Sequence, residues 1–270
     1  MSTPPGPPRR VLRKAHVVSA RSLTPHSRLI VLGGEGLQTY TTNGPAEHIK
    51  LFLPPPGESE PVVPTWGPKG PEIPPGKPAP LSRTYTPRRW NPDRCELEVH
   101  IMTHSGGPGA TWAKMAKPGD PVVVGGPGRP YQPVEGAKWY LIAGDESALP
   151  AICTILESLA EGVRAIVYIE VSDPAEQIPV ETKADARITW IHREGQAWDV
   201  PGQLLVQAVC SAELPGGLGA VWIGCEAGQM RAIRRHLLYE RGFQREALCT
   251  RGYWKLGMPN YPDHDMGEDV

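Results

Sequence analysis

Trp139-Tyr140-Leu141-Ile142-Ala143-Gly144-Asp145-Glu146-Ser147-Ala148-Leu149-Pro150-Ala151 passes from an unbroken apolar run, through a glycine and two acids, into an amphipathic stretch. Residues 139–143 read as a strand buried on both faces, and 148–161 as a helix. The same alternation continues downstream. Strands are expected at 164–171, 187–192, 220–224 and 246–254, and helices at 203–212 and 227–241. Buried strands alternating with helices predict a parallel, doubly wound sheet. Such sheets bind ligands at the carboxyl ends of their strands, where Gly144 to Ser147 would lie.

Upstream of residue 133 the texture is different. Short alternating or β-branched runs at 28–32, 48–53, 83–86, 95–102 and 121–124, separated by turn residues, predict an antiparallel β-barrel. Residues 54–80 hold eleven prolines and read as a long surface excursion without strand or helix. The expected fold class is therefore a two-domain α+β protein. A barrel domain spans 1–134 and an α/β domain 135–270, with the break at 133–138 and a C-terminal segment returning toward the barrel. The acidic tail 263–270 is expected to be disordered, and Arg231, Arg234, Arg235 and Arg241 to form a solvated helix face.

A chain of 270 residues can bury two modest cores, and its net charge of −1 offers no general attraction to nucleic acid or an anionic membrane. Any anion site must be local. The five cysteines are odd in number and widely spaced without a CxxC pair, which indicates neither a disulfide framework nor a zinc or iron–sulfur site and fits a reducing compartment. Residues 1–10 have no apolar leader core, and no run is long enough to span a membrane, so a cytoplasmic protein is expected. No histidine pair has metal-ligand spacing, and no GxSxG elbow supports a hydrolase.

Two motifs in the barrel half carry chemistry. In Ser82-Arg83-Thr84-Tyr85-Thr86-Pro87, strand alternation puts Arg83 and Tyr85 on one face, so a ring laid on Tyr85 has its phosphate tail within reach of Arg83. Thr86, before Pro87, can offer its hydroxyl or amide to the ring edge. The plainer reading is a barrel strand with an exposed charge. Downstream, His104-Ser105-Gly106-Gly107-Pro108-Gly109-Ala110-Thr111-Trp112 reads as a glycine-rich turn opening a short helix whose free N–H groups face a pyrophosphate. Trp112 reads first as the anchor of that helix. His100, Ile101, Met102 and His104 offer backbone or edge contacts. A cation, an aromatic and a hydroxyl followed by a phosphate turn suit a flavin. Asp145 and Glu146 discourage phosphate at their own turn, so Gly144, Asp145, Glu146, Ser147 and Ala148 are expected to meet a nicotinamide or the flavin, with Asp145 or Ser147 also serving as an N-cap.

With these residues, and with Gly252-Tyr253-Trp254-Lys255-Leu256-Gly257 near the end, the chain resembles the siderophore-interacting protein family, flavin-dependent ferric-siderophore reductases related to ferredoxin reductases. The resemblance implies an FAD-binding barrel followed by a nicotinamide-binding sheet. It assigns Arg83 to the FAD phosphates, Tyr85 to stacking on the isoalloxazine, Thr86 to its N5 side and the turn after His104 to the pyrophosphate, with Tyr253 and Trp254 completing the site. It implies Lys50, Arg129 and Lys255 as the basic cluster for an anionic ferric siderophore, NADH or NADPH as donor with ferredoxin as another, and no acid–base side chain. Other readings are a general flavin reductase with a different acceptor and a siderophore carrier. Lys255 stands where the family has arginine, and Cys225 where it has a small residue. Cys225 is expected to be a buried structural thiol. Glu170 and Asp173 at the end of the second parallel strand lean toward NADH, with Arg193 as the cation available to a 2′-phosphate.

Overall fold

A computed structural model describes residues 11–67, 70–103, 106–194, 203–261 and 265–269. The first half forms strands β1 (Leu12–Thr24), β2 (Ser27–Gly33), β3 (Ile49–Leu53), β4 (Thr65–Gly67), β5 (Gly70–Glu72), β6 (Leu81–Tyr85), β7 (Pro87–Asn91) and β8 (Glu96–Met102), then helix α1 (Pro108–Met115) and strand β9 (Pro121–Gly125). Seven of these strands make one antiparallel sheet in the order β6-β3-β9-β1-β2-β8-β7. Its two outermost strands, β6 and β7, are joined by the single residue Thr86. A chain can step from one edge of a sheet to the other in one residue only when the sheet curls until its edges meet, so the connection itself requires a barrel. Alternation fills the interior. Leu97, Val99 and Ile101 of β8 point inward beside Val17, Ile30, Leu32 and Leu51, while His100 and Met102 face out.

The long strand β1 and the strand β7 go beyond the runs anticipated from sequence, because the charges in Leu-Arg-Lys-Ala-His and Pro-Arg-Arg-Trp-Asn mask their alternation. The proline-rich excursion contains a small hairpin where a structureless loop was expected. Thr65 pairs with Glu72 and Gly67 with Gly70.

The second half forms β10 (Trp139–Asp145), α2 (Leu149–Ser158), β11 (Arg164–Val171), β12 (Asp185–His192), α3 (Leu204–Cys210), β13 (Gly219–Glu226), α4 (Ala227–Tyr239) and β14 (Leu248–Trp254). All five strands are parallel, in the order β12-β11-β10-β13-β14, with a switch point between β10 and β13. One face is covered by α2 through Ile142, Ile152 and Ile155, and the other by α3 and α4 through Leu141, Ile223, Ile233 and Leu237. This accounts for the uninterrupted apolar strands.

Two expectations are corrected here. The α4 arginines are not a uniformly solvated face: Arg234 is buried and donates to Thr250 Oγ1 at 3.1 Å, and Arg231 forks onto Asp265 at 2.7 and 2.9 Å. The described tail is ordered by the same contacts. Gly252 N donates to Asp265 O at 2.9 Å and Thr250 Oγ1 to Met266 O at 2.6 Å.

Polar contacts lock the halves together. Arg88 of β7 is buried and forks onto Glu157 of α2, with one arm at 2.9 Å. Ala46 N donates to Thr154 Oγ1 at 2.9 Å. Glu176, just past β11, is buried; it accepts from the Thr24 hydroxyl and from His26 N at 3.0 Å, and lies 2.7 Å from His26 Nδ1. Removing one partner of a buried ion pair strands the other, but Glu157 keeps some water. Arg88→Ala is therefore expected to cost about 2–3 kcal/mol. Urea denaturation should show a lower midpoint with unchanged m; an unchanged midpoint would remove Arg88 from the interface.

Candidate functional site

Where the barrel closes, Tyr85 ends β6 and Thr86 bridges to β7. α1 is pressed against this point: a β-carbon at Gly109 would lie 2.4 Å from Tyr85 Oη, so only glycine fits. Ahead of α1, Gly107 is an N-cap without a side-chain hydrogen bond, and Gly106 has φ of 93°. Added β-carbons at both would meet nothing within 4 Å, and α1 has neither a side-chain cap nor an acidic residue in its first turn. Arg83 lies beside them, donating to Ser82 O at 2.7 Å and Asn260 Oδ1 at 3.3 Å.

These groups line a cleft of about 410 Å³ between barrel and sheet. Among the predicted residues, Lys50, Arg83, Thr84, Tyr85, Thr86, His100 and Met102 reach it from the barrel, and Gly107 and Ala110 from α1. Glu146 and Ser147 reach it from the acidic turn, and Tyr253 and Trp254 from β14. An adjoining cavity of about 420 Å³ is lined by Gly106, Asp145, Glu146, Trp254, Lys255 and Met258. Other predicted residues stay outside both. Ile101 is in the barrel core, Ala148 under α2, Thr111 on the outer face of α1, and Arg129 exposed on the segment after β9. Trp112 packs against the barrel core, the anchoring role read first for it. Gly144 serves the sheet: a β-carbon there would meet Gly224 O at 2.4 Å. His104 lies outside the described residues.

The cleft also contains residues not singled out in the sequence, notably His48, Glu176, Arg251, Asn260 and Tyr261. Arg251 was within reach of pattern reading, being two residues before Tyr253 on the same face of β14. Glu176 and Asn260 follow turns, and no local signal brings them to a barrel far away in the chain.

Asp145 does not cap α2, whose N-cap Ala148 has no side-chain bond. Its carboxylate is buried at the strand end instead. Oδ1 accepts from Ser147 N at 2.9 Å and from the Ser147 hydroxyl at 2.5 Å, and Oδ2 from Glu226 N at 3.2 Å and Trp254 Nε1 at 2.8 Å. Burial, helped by nearby Glu146, pushes its pKa up to about 6. Glu146 and Glu170 both receive Arg193, which is 3% exposed. Glu226 caps α4, accepting from Gly228 N at 2.6 Å and Gln229 N at 3.0 Å. Cys225 is fully buried, and desolvation raises its thiol pKa well above the ordinary value, so it is no ready nucleophile. His100 is held neutral at pH 7, its pKa lowered to about 4 by desolvation and by Arg88, Arg21 and Arg89. Tyr253 shares a hydrogen bond with Thr86, tying β14 to the barrel closure. Among the described residues there is no cluster of three or more His, Cys, Asp or Glu able to hold a metal, and no helix is long and apolar enough to cross a membrane.

The residues fit FAD: an open helix N-terminus and an arginine for the diphosphate, an aromatic ring and a threonine for the isoalloxazine, and glycines where backbone must come close. An antiparallel barrel clasped to a five-stranded parallel sheet is a ferredoxin-reductase-like fold. Residues 16–131 match the siderophore-interacting FAD-binding domain and residues 137–257 the siderophore-interacting protein domain, so the chain belongs to the siderophore-interacting protein family. It is similar to a siderophore utilization protein from T. fusca, whose crystal structure superposes with a TM-score of 0.85 at 34% identity over 94% of this chain and 97% of that one. It is 30% identical to the ferric vibriobactin reductase ViuB of Vibrio cholerae, covering 87% of this chain and 86% of the relative. The NADPH-dependent ferric-chelate reductase of Escherichia coli is also 30% identical, over 94% of this chain and 99% of its own.

Because Asp145 binds its proton more tightly folded than unfolded, its contribution to stability falls as pH rises from about 4 to about 6. In Asp145→Asn an amide N–H₂ faces the Glu226 and Trp254 donors, so this variant is expected to be less stable by about 1–3 kcal/mol and to lack that pH-dependent component. Thermal melts across the window read both, and parallel pH profiles for the two proteins would refute the assignment.

Proposed function

We propose that this chain is an FAD-dependent ferric-siderophore reductase supplied with electrons by NAD(P)H. The observation that carries the reading is one continuous cleft. It runs from an anion-holding end, Arg83 and the α1 amides, past Tyr85 and Thr86, to the acidic turn of the sheet. FAD held by these residues would supply the redox chemistry, a two-electron exchange with a nicotinamide and one-electron exchange with ferric iron. The protein binds and orients. Arg83 and α1 hold the diphosphate, Tyr85 supports the ring, and Thr86, fixed by Tyr253, sets its edge. His100, kept neutral, adds no charge beside the ring.

Lys50 of the main cleft and Lys255 of the adjoining cavity give the mouth a local positive charge that receives an anionic ferric chelate. Arg129, outside both cavities, extends that charge along the barrel surface. Reduction weakens the hold of hard oxygen donors on iron, which releases it. The ferric-reductase names of the Vibrio cholerae and Escherichia coli relatives support this reading, and the five free thiols agree with work in the reducing cytoplasm.

Anaerobic mixing of the flavin-loaded protein with NAD(P)H should bleach the flavin, and a ferric siderophore should restore it. Re-oxidation by free flavin or quinone but not by the chelate would instead indicate a general flavin reductase, and bleaching only by reduced ferredoxin a different donor. Arg83→Ala, which removes a charge-assisted contact to phosphate, is expected to weaken FAD binding by about 10–100-fold, read by flavin fluorescence. Lys50→Glu with Lys255→Glu should raise KM for an anionic ferric siderophore while leaving reduction of an uncharged quinone acceptor unchanged. Equal loss with both acceptors would dismiss the basic mouth.

A further inference from the structure

The donor edge of the parallel sheet bears on which nicotinamide nucleotide it takes, and the following rests on the donor reading above. In doubly wound sheets a carboxylate near the end of the second strand receives the ribose hydroxyls of NADH, whereas the 2′-phosphate of NADPH needs an arginine nearby. The second strand here is β11, which closes with Glu170-Val171 and is followed by Ser172 and Asp173.

Glu170 is not available to a ribose. It is 2% exposed, accepting from Leu205 N at 3.0 Å and from Arg193 at 3.3 Å. Arg193, just past β12, is the cation that could meet a 2′-phosphate, but it is turned inward and forked onto Glu146 as well. Two carboxylates already take its Nη1 and Nη2 donors, and its Nε, though without a partner among the described residues, is buried away from solvent. Residues 172–177, which follow β11, contain neither lysine nor arginine, and neither does the segment 195–202, which lies outside the described residues.

Asp173 is placed differently. It is half-exposed; Oδ1 accepts from Ala175 N at 2.8 Å, and Ser172 Oγ donates to Oδ2 at 3.3 Å. Oδ2 keeps acceptor capacity toward solvent, and a serine hydroxyl stands beside it. That pair suits a vicinal diol and repels a phosphate. The helices of this sheet do not compensate, since Glu226 caps α4 and Asp145 and Glu146 precede α2.

We propose that the chain selects NADH over NADPH, with Asp173 and Ser172 receiving the adenosine ribose diol and with Arg193 withheld from a 2′-phosphate by Glu146 and Glu170.

The test is anaerobic stopped-flow bleaching of the full-length, FAD-loaded protein with each nucleotide. NADH should exceed NADPH in kcat/KM by about tenfold or more. Asp173→Ala should raise KM for NADH at unchanged kcat while NADPH is unaffected or improved, so the ratio moves toward unity. A merely structural role would slow both nucleotides alike. Asp173→Asn, which can keep the bond from Ala175, should improve NADPH through loss of charge. NADPH equal to or better than NADH with the unmodified protein overturns the selection and leaves the reductase reading intact. A ratio unmoved in both variants overturns the role of Asp173, and bleaching by neither nucleotide overturns the donor reading together with this one.

Discussion

The carboxylate of Asp145 is the group on which the site most depends. It ends β10, and its oxygens take donors from the turn that follows, from the end of β13 and from the indole of β14. Three strand ends are thereby held at one point. Trp254 is oriented by that bond, and Tyr253 beside it reaches Thr86 of the barrel, so the ordering of the sheet edge passes directly into the flavin cleft. The raised pKa reflects the cost of burying this charge among donors that only partly compensate it.

Every helix that meets a strand end could in principle hold an anion, and this chain treats its helices unequally. α1 is left open, with glycines ahead of it and Arg83 beside it. α4 is closed by the chain's own Glu226, α2 is preceded by two acids, and the Leu205 amide in the first turn of α3 is taken by Glu170. Phosphate is therefore favoured at the α1 end of the cleft and disfavoured at its acidic turn.

What the sequence revealed follows from how local each signal is. The parallel sheet was legible because strands buried on both faces and amphipathic helices each carry their pattern within a few turns, as in Trp139–Asp145 and Ala227–Tyr239. β1 and β7 were hidden because charged residues interrupt their apolar pattern: Lys14, His16 and Arg89 are exposed, while Arg13 and Arg88 are buried in polar contacts made by distant segments. Arg83, Tyr85 and Trp254 were found because they belong to compact motifs. Glu176 and Asn260 were not, because their placement is decided by packing between segments more than a hundred residues apart. Asp145 was noticed for its position at a helix start, yet what it does depends on β13 and β14, which nothing near it in the chain announces.

The single-residue step at Thr86 has a consequence for biosynthesis. All seven barrel strands are complete by Gly125, so this half can close its cylinder while the rest of the chain is still on the ribosome. At that stage only the floor of the cleft exists. Glu176 arrives some fifty residues later, by the count from Gly125, and Tyr253 and Trp254 more than a hundred residues after the barrel is complete. A flavin captured early would rest on an open shelf, and translation of β14 would then roof it over, making retention of the cofactor a measure of whether synthesis has passed β14.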